Sequence, residues 1–329
     1  MRHVILAAGL IAVAALGQVP GALGQTSMKL GYAYPNMETA PLYVAEEKGF
    51  LREERLSVEL IALASGDKLS FALLSGSIDM VNYTPDWFVR AIEKGETDLK
   101  IVLSSGNVPV YSLVVTKDIH SYADLKDKRI AVSTVKAADA YFTRKMMAAH
   151  GLADADYILI QAGATPERAA ALKAGSVSAS LIAPPIDQRV IDDEGGLARL
   201  DVTSSAITHY AWQTQTVKES WAVKNRATLV GYIRAWMKAT RWLYDPANKE
   251  EAIRILMREL KLEDRYARTA YEMYFGPTLT IAKDGEIDLI GIQELLNGLV
   301  EQGDMRAPTP PPQKYVNLSY WEEARKSLP

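Results

Sequence analysis

The chain of 329 residues contains no cysteine. This absence excludes disulfides, thiolate nucleophiles and cysteine-ligated metal sites. It also excludes the lipid-bearing cysteine that tethers many exported bacterial proteins. The four histidines are far apart, with no spacing typical of a metal site: His3, His120, His150 and His209.

No strong excess of one charge is present. The formal net charge is −3, whereas proteins that read nucleic acids are strongly basic, so we expect no nucleic-acid partner.

Gly-x-Ser-x-Gly, Gly-x-Gly-x-x-Gly and phosphate-binding-loop motifs are also absent. Two Ser-x-x-Lys matches occur, at 65–68 and 133–136, and 105–107 resembles a second element of penicillin-recognising enzymes. Because the Lys-Thr-Gly or Lys-Ser-Gly element is missing, we expect no enzyme.

The first 24 residues differ in composition from the rest of the chain. Arg2 and His3 precede an apolar run at 4–16, and the small residues around Gly24 form a cleavage signal before Gln25. This layout predicts a secretory signal peptide over 1–24, since the run is short for a membrane span. An uncleaved anchor is the alternative. With no lipid-bearing cysteine, the mature protein is expected to be free in the periplasm.

Strand and helix patterns alternate through the first two thirds of the chain. Apolar runs at 29–34, 56–61 and 78–83 are separated by helical segments at 41–48 and 69–75. Short connections between such elements predict parallel sheets, because parallel strands need a crossover helix. The fold class is therefore α/β. Helical periodicity replaces this alternation after Asn225.

The order of these segments predicts two lobes. We expect lobe 1 to comprise residues 25–116 and 214–329, and lobe 2 to comprise 117–213. The helical tail would return and pack on lobe 1. The chain would then cross between the lobes twice, forming a two-strand hinge that allows the lobes to close over a ligand.

Six turns connect strands to helices where a cleft between such lobes would lie: 34–37, 65–67, 83–86, 133–135, 163–166 and 183–185. In sheets of this class, ligands bind beyond the carboxyl ends of the strands, near helix N-termini. Thr84 and Thr165, each followed by proline, are predicted helix N-caps. Aromatic residues accompany these turns, and no arginine lies in them. The lack of arginine disfavours a densely anionic ligand. We expect a small heterocycle or a monoanion.

The expected ligand-binding residues come from these turns and from two further positions. They are Tyr34, Asn36, Met37, Ser65, Gly66, Tyr83, Thr84, Asp86, Asn107, Ser133, Thr134, Gly163, Pro184 and Trp212. No catalytic residue, metal ligand or cofactor is predicted.

Four segments resemble landmarks of the sulfonate-binding and thiamine-pyrimidine-binding superfamily of periplasmic solute-binding proteins. They are 41–50 (PLYVAEEKGF), 56–60 (LSVEL), 72–79 (ALLSGSID) and 124–132 (DLKDKRIAV). The resemblance implies a type II periplasmic-binding-protein fold. It also implies delivery of a small solute to the permease and ATPase of an ABC importer. Related proteins bind sulfonates, nitrate, pyrimidines, flavins or aromatic acids.

We therefore expect a monomer that captures one small heterocyclic or aromatic compound, or a small organic anion, between its lobes. Two alternatives remain open. One is a serine hydrolase of the penicillin-recognising type, and the other is a sensory binding module without a transport role. The cysteine-rich, iron-dependent chemistry of eukaryotic relatives does not carry over to a chain without cysteine.

Overall fold

The computed structural model describes residues 25–63, 65–135, 137–276 and 280–328. The expected signal peptide lies outside these residues. The strands are β1 (Thr26–Tyr32), β2 (Leu56–Ala62), β3 (Met80–Tyr83), β4 (Leu99–Gly106), β5 (Ser112–Thr116), β6 (Arg129–Val132), β7 (Ile158–Gln161), β8 (Ala179–Ile182), β9 (Leu197–Val202) and β10 (Gln213–Lys218).

The helices of the described residues fall into two groups. Seven accompany strands β1–β9: α1 (Ala40–Glu47), α2 (Phe50–Glu53), α3 (Gly66–Ser75), α4 (Asp86–Glu93), α5 (Ala138–Ala149), α6 (Thr165–Lys173) and α7 (Ile186–Glu194). Six follow β10: α8 (Glu219–Lys224), α9 (Arg226–Leu243), α10 (Lys249–Leu260), α11 (Asp264–Phe275), α12 (Leu289–Glu301) and α13 (Ser319–Lys326).

Local chemistry explains where α3 begins and ends. The Ser65 side chain accepts a hydrogen bond from the backbone N–H of Lys68, which satisfies one of the free donors at the helix start. Gly76 ends the helix with a φ of 75° in the left-handed region, where glycine carries no steric penalty. The buried face of α3, which includes Leu69 and Leu73, packs under the first sheet.

The first sheet has the strand order β2-β1-β3-β10-β4. Strand β1 pairs in parallel with β2 and β3, as the alternation of strands and helices predicts. Strand β10 returns late in the chain and lies antiparallel between β3 and β4. Residues 213–218 therefore return to the first sheet after the chain has formed the second.

The second sheet has the order β7-β6-β8-β5-β9. Strand β6 pairs in parallel with β7 and β8, while β5 lies antiparallel between β8 and β9. We had expected the apolar run at 110–116 to belong to lobe 1, but β5 is a strand of the second sheet. The chain thus leaves the first sheet after Gly106, earlier than the expected boundary at Thr116.

The helices after β10 contact both sheets. Helix α9 packs on α1, α2 and β2, and α13 packs on α9, so this part of the tail covers the first sheet as expected. Helix α12, however, lies against α5, where Lys145 forms an ion pair with Glu301 at 2.8 Å. Helix α11 contacts α7, and Arg265 lies 3.3 Å from Asp192. The tail therefore bridges the two sheets.

One apolar cluster continues from the first sheet into the second. Phe88 of α4, Phe142 of α5, Tyr210 and Leu295 of α12 all belong to it and are buried. Because large buried side chains contribute most to the apolar area removed from water, this cluster holds the two sheets against each other.

Candidate functional site

Two adjoining cavities, each of about 630 Å³, lie between the sheets. Tyr111, Ala164, Thr165 and Trp212 line both cavities, which are therefore two halves of one cleft. We name them by a carboxylate that each contains: the Asp86 half and the Glu38 half. Volumes of this size suit a small organic molecule.

The segments that cross between the sheets supply the centre of the cleft. Tyr111 lies just before β5, and Trp212 lies just before β10. Their rings meet edge to face with centroids 5.5 Å apart, and Phe142 approaches the indole of Trp212 at 5.7 Å. Such edge-to-face pairs are favourable and orient the rings. Aromatic faces are thus fixed where the two halves join.

Ten of the fourteen expected ligand-binding residues line the cleft. Tyr34, Asn36, Met37 and Pro184 lie in the Glu38 half; Tyr83, Thr84, Asp86, Ser133 and Thr134 lie in the Asp86 half; Trp212 lies in both. Strands of both sheets end here, which is the placement expected for the turns. Ligand contact by these residues stays a prediction.

The other four expected residues do not line either half, and each has a structural role. Ser65 caps α3. Gly66 makes room for an aromatic ring, since a Cβ there would lie 2.4 Å from the indole of Trp87. The Asn107 side chain accepts from Ser104 Oγ at 2.5 Å and donates to a tail carbonyl. The Gly163 carbonyl oxygen accepts from Arg168 Nη1 at 2.8 Å.

The predicted N-cap roles of two threonines are wrong. Helix α4 begins at Asp86 after Pro85, and no side chain caps it. Thr165 is the first residue inside α6 rather than its N-cap, and its Oγ1 accepts a hydrogen bond from Arg168 Nη2 at 3.2 Å. Asn36, by contrast, is an N-cap. Its Oδ1 accepts a hydrogen bond from the Thr39 N–H at 3.1 Å, at the start of the turn that leads into α1.

Glu38 is a buried carboxylate in the wall of the cleft, only 5% exposed. Its Oε1 accepts from Trp212 Nε1 at 3.1 Å and from the Tyr274 hydroxyl at 3.0 Å. Burial raises the pKa of the Glu38 carboxyl, and hydrogen bonds from its own backbone N–H, from Trp212 and from Tyr274 oppose that shift. The charge of Glu38 also acts on the buried tyrosines 111 and 274, whose pKa values are raised mainly by burial.

A buried ion pair joins two helices that accompany the second sheet. Arg168 of α6 and Asp139 of α5 are 3% and 5% exposed, and Nη1 lies 3.4 Å from Oδ2. The guanidinium also donates to the carbonyl oxygens of Gly163 and Leu181. Asp139 accepts from the backbone N–H and the hydroxyl of Ser133 at 2.7 and 2.6 Å. The pair therefore fixes the cleft turns at Ser133 and Gly163 relative to each other.

A second arginine enters the Asp86 half from helix α4. Arg90 pairs with Asp86 one turn earlier and with Asp304, which follows α12, at 2.9 Å. The Arg90 side chain thereby joins the first-sheet wall of the cleft to the tail.

Several charged or polar residues of the cleft were not predicted from the sequence: Glu38, Arg90, Asp139, Arg168 and Tyr274. No arginine lies in the six turns, as expected, but Arg168 reaches the cleft from the first turn of α6, and Arg90 reaches it from the second turn of α4. Their spacing after the turns was the available signal, because residues three or four positions apart lie on one helix face. Tyr274 comes from α11, more than 200 positions from its partner Glu38, and nothing local in the sequence predicts that contact.

The described residues contain neither a membrane-spanning helix nor a metal-binding cluster. None of their helices combines the length and hydrophobicity needed to cross a membrane. In the same part of the chain, no group of three or more His, Cys, Asp or Glu residues is placed to hold a metal ion.

The model of the NMT1-like family matches residues 21–257. Among curated proteins, the nitrate/nitrite binding protein NrtA of Nostoc sp. is 22% identical over 252 residues. That match covers 70% of this chain and 57% of the relative, so the chain spans little more than half of the relative's length.

Solved structures share the fold across nearly the whole chain. The ligand-binding component of an ABC-type import system from Staphylococcus aureus, solved with zinc bound, has a TM-score of 0.75 at 16% identity and covers 92% of this chain and 100% of its own. A Candida albicans protein described as having the generic periplasmic-binding-protein fold has a TM-score of 0.63 at 16% identity, covering 89% and 96%. The fold class predicted from sequence is confirmed.

Proposed function

The chain belongs to the NMT1-like family, and we propose that it is the solute-binding component of an ABC importer. The cleft between the two sheets carries this proposal. It is lined by turns from both sheets and by fixed aromatic rings, and each half holds about 630 Å³. Such a concave site with a few convergent polar groups suits capture of one small solute.

We propose that the two sheets are the cores of two lobes that close over this solute. Two segments cross between the sheets, one between Gly106 and Ser112 and the other between Val202 and Gln213. Small changes in backbone angles at two neighbouring crossings allow a rigid rotation of one lobe against the other.

The proposed importer role also implies where the protein is located and which proteins it contacts. Cleavage near Gly24 and Gln25 would release a monomer into the periplasm, where it would deliver its solute to a permease and its ATPase. N-terminal sequencing of the exported protein tests the cleavage, with Gln25 as the expected first residue. An intact residue 1 on exported protein would contradict it.

A penicillin-recognising enzyme is the alternative that the contacts disfavour. The Ser65 hydroxyl oxygen accepts from a backbone N–H, and the Ser133 hydroxyl donates to Asp139. Both hydroxyls thus have structural partners, and we propose that the protein is not an enzyme. If the protein hydrolysed nitrocefin, and Ser65→Ala or Ser133→Ala abolished that activity, this part of the proposal would be overturned.

The decisive experiment is direct binding. The protein is unfolded, dialysed and refolded to remove any solute carried through purification, and then titrated with the released material and with a library of small solutes. We expect one-to-one binding and a smaller radius of gyration on binding. If no solute in the released material or the library binds, the solute-binding function is refuted.

A further inference from the structure

Glu38 has only uncharged hydrogen-bond partners. Trp212 and Tyr274 both donate to its Oε1. Among the described residues, no lysine, arginine or histidine nitrogen lies within ion-pair distance of this carboxylate. A buried carboxylate without a cationic partner is costly unless further donors satisfy it.

Each of the other carboxylates that line the two halves has a cationic partner, although Asp86 and Asp304 share one. Asp139 pairs with Arg168, and Asp86 and Asp304 pair with Arg90. The Arg168 guanidinium is fully engaged, since it also donates to two carbonyl oxygens and to a hydroxyl. It has no free donor to offer an anion. Arg189 and Lys261 also line the Glu38 half, but both are exposed at its rim.

The surroundings of Glu38 favour a flat molecule. The indole of Trp212 and the ring of Tyr111 lie in the wall of the same half, and Tyr34 lies at its mouth, 62% exposed. Aromatic faces bind planar groups with little loss of conformational entropy. A planar solute against these rings would place its polar edge in reach of the carboxylate.

We infer that Glu38 is a specificity-determining residue, and that the solute is a planar nitrogen compound whose N–H groups donate to it. This inference rests on the proposed solute-binding function and names the chemical class of its solute. The class comprises amides, amidines and amino-substituted heterocycles, neutral or cationic. Compact anions such as nitrate or sulfonates are rejected, because Glu38 would repel them in a site of low dielectric constant.

Three compounds on one ring test the inference. At pH 7 benzamidine is a cationic hydrogen-bond donor, benzamide is a neutral donor, and benzoate is an anion without a donor. Titration calorimetry at pH 7 should give at least tenfold tighter binding of benzamidine and benzamide than of benzoate, about 1.4 kcal/mol. Nitrate and methanesulfonate are titrated alongside as compact anions and should not bind.

The variants isolate the carboxylate. Glu38→Gln keeps an oxygen that can accept from Trp212 and Tyr274 but removes the charge. In this variant the ratio of benzamidine affinity to benzoate affinity should fall at least tenfold. Glu38→Asp, which keeps the charge, should retain the wild-type ratio. Glu219→Gln is the control, since Glu219 also accepts from a tyrosine hydroxyl, that of Tyr320, but lies outside the cleft. It should bind like the wild type.

Each contrary result overturns a defined part. Binding of nitrate or benzoate in preference to benzamidine, an unchanged preference in Glu38→Gln, or binding of none of the ring compounds overturns the inference. The solute-binding function survives these results if material released from the purified protein binds again. Only a failure of that rebinding, together with failure of the whole library, refutes the function itself.

Discussion

Breaking the Arg168–Asp139 pair from one side should destabilise the protein strongly. Arg168→Met leaves a carboxylate that is 5% exposed without its cation, and it frees the carbonyl oxygens of Gly163 and Leu181 from their donor. Removing one partner of a buried ion pair costs about 3–5 kcal/mol. Since a domain is typically stable by about 5–15 kcal/mol, this is a large share of the total.

Removing both charges should cost much less than the two losses combined. Asp139→Asn keeps an acceptor for Ser133 but leaves the Arg168 charge buried, so it should also cost about 3 kcal/mol or more. The double variant buries no unpaired charge. We expect a coupling free energy of about 2–3 kcal/mol, so the double variant should lose about 2–3 kcal/mol less than the sum of the two single losses.

Urea unfolding followed by far-ultraviolet circular dichroism measures all four proteins at pH 7. The exposed pair Arg268–Asp264, at 2.7 Å, gives the matched control, and its cycle should show about 0.5 kcal/mol or less. Additive losses in the Arg168–Asp139 cycle would refute the reasoning. Such a result would mean that the pair is solvated in solution and does not fix the cleft turns.

Three further predictions concern the cleft. In thermal unfolding, Glu38→Gln should be more stabilising relative to wild type at pH 8 than at pH 4.5. A carboxyl whose pKa is raised in the folded state favours folding below its unfolded pKa and loses that contribution as the pH rises, by about 1.4 kcal/mol per unit of pKa shift. A stability difference independent of pH would contradict this. Trp212→Ala should weaken solute binding at least tenfold while the protein stays folded, whereas Trp321→Ala, which removes a tryptophan outside the cleft, should leave affinity unchanged; equal effects would exclude Trp212 from the site. Gly66→Ala should destabilise the protein by about 1–3 kcal/mol in urea, because the new Cβ meets the Trp87 ring; a neutral effect would show that the ring moves freely.

The alternation of strands and helices could be predicted because its signals are local. Residues 56–61 and 78–83 carry the apolar runs of β2 and β3, and Gly76 ends α3 where the pattern stops. Turn residues at the strand ends then located most of the cleft. In a parallel sheet these ends share one edge, so local pattern and global position agree.

Sheet membership could not be predicted in the same way. The apolar strand β5 would fit either sheet by its pattern alone, and only its pairing with β8 and β9 decides. Strand β9 (LARLDV) was missed because it lies at the edge of its sheet and is half-buried, with charged residues interrupting the alternation.

The polar contacts of the cleft could not be predicted from the sequence either, because they join residues far apart in the chain. Arg168 meets Asp139 only because β6 and β8 are neighbours, and Glu38 meets Tyr274 only because the tail returns across the molecule. Sequence patterns identify the turns but not which turns carry buried charges. Ser65 and Asn107 show the converse: their residue types suit a binding turn, yet their side chains bond within the scaffold.

Ion pairs link helices α11 and α12 of the tail to helices α7 and α5, which accompany the second sheet. A rotation that widened the mouth would have to separate Arg265 from Asp192 and Lys145 from Glu301 together. Exposed ion pairs contribute only about 0–1 kcal/mol each, and dissolved salt weakens them. These two ion pairs should therefore resist the proposed opening only weakly, and even less as the ionic strength rises, so the buried cluster around Phe142 and Leu295 is the larger barrier.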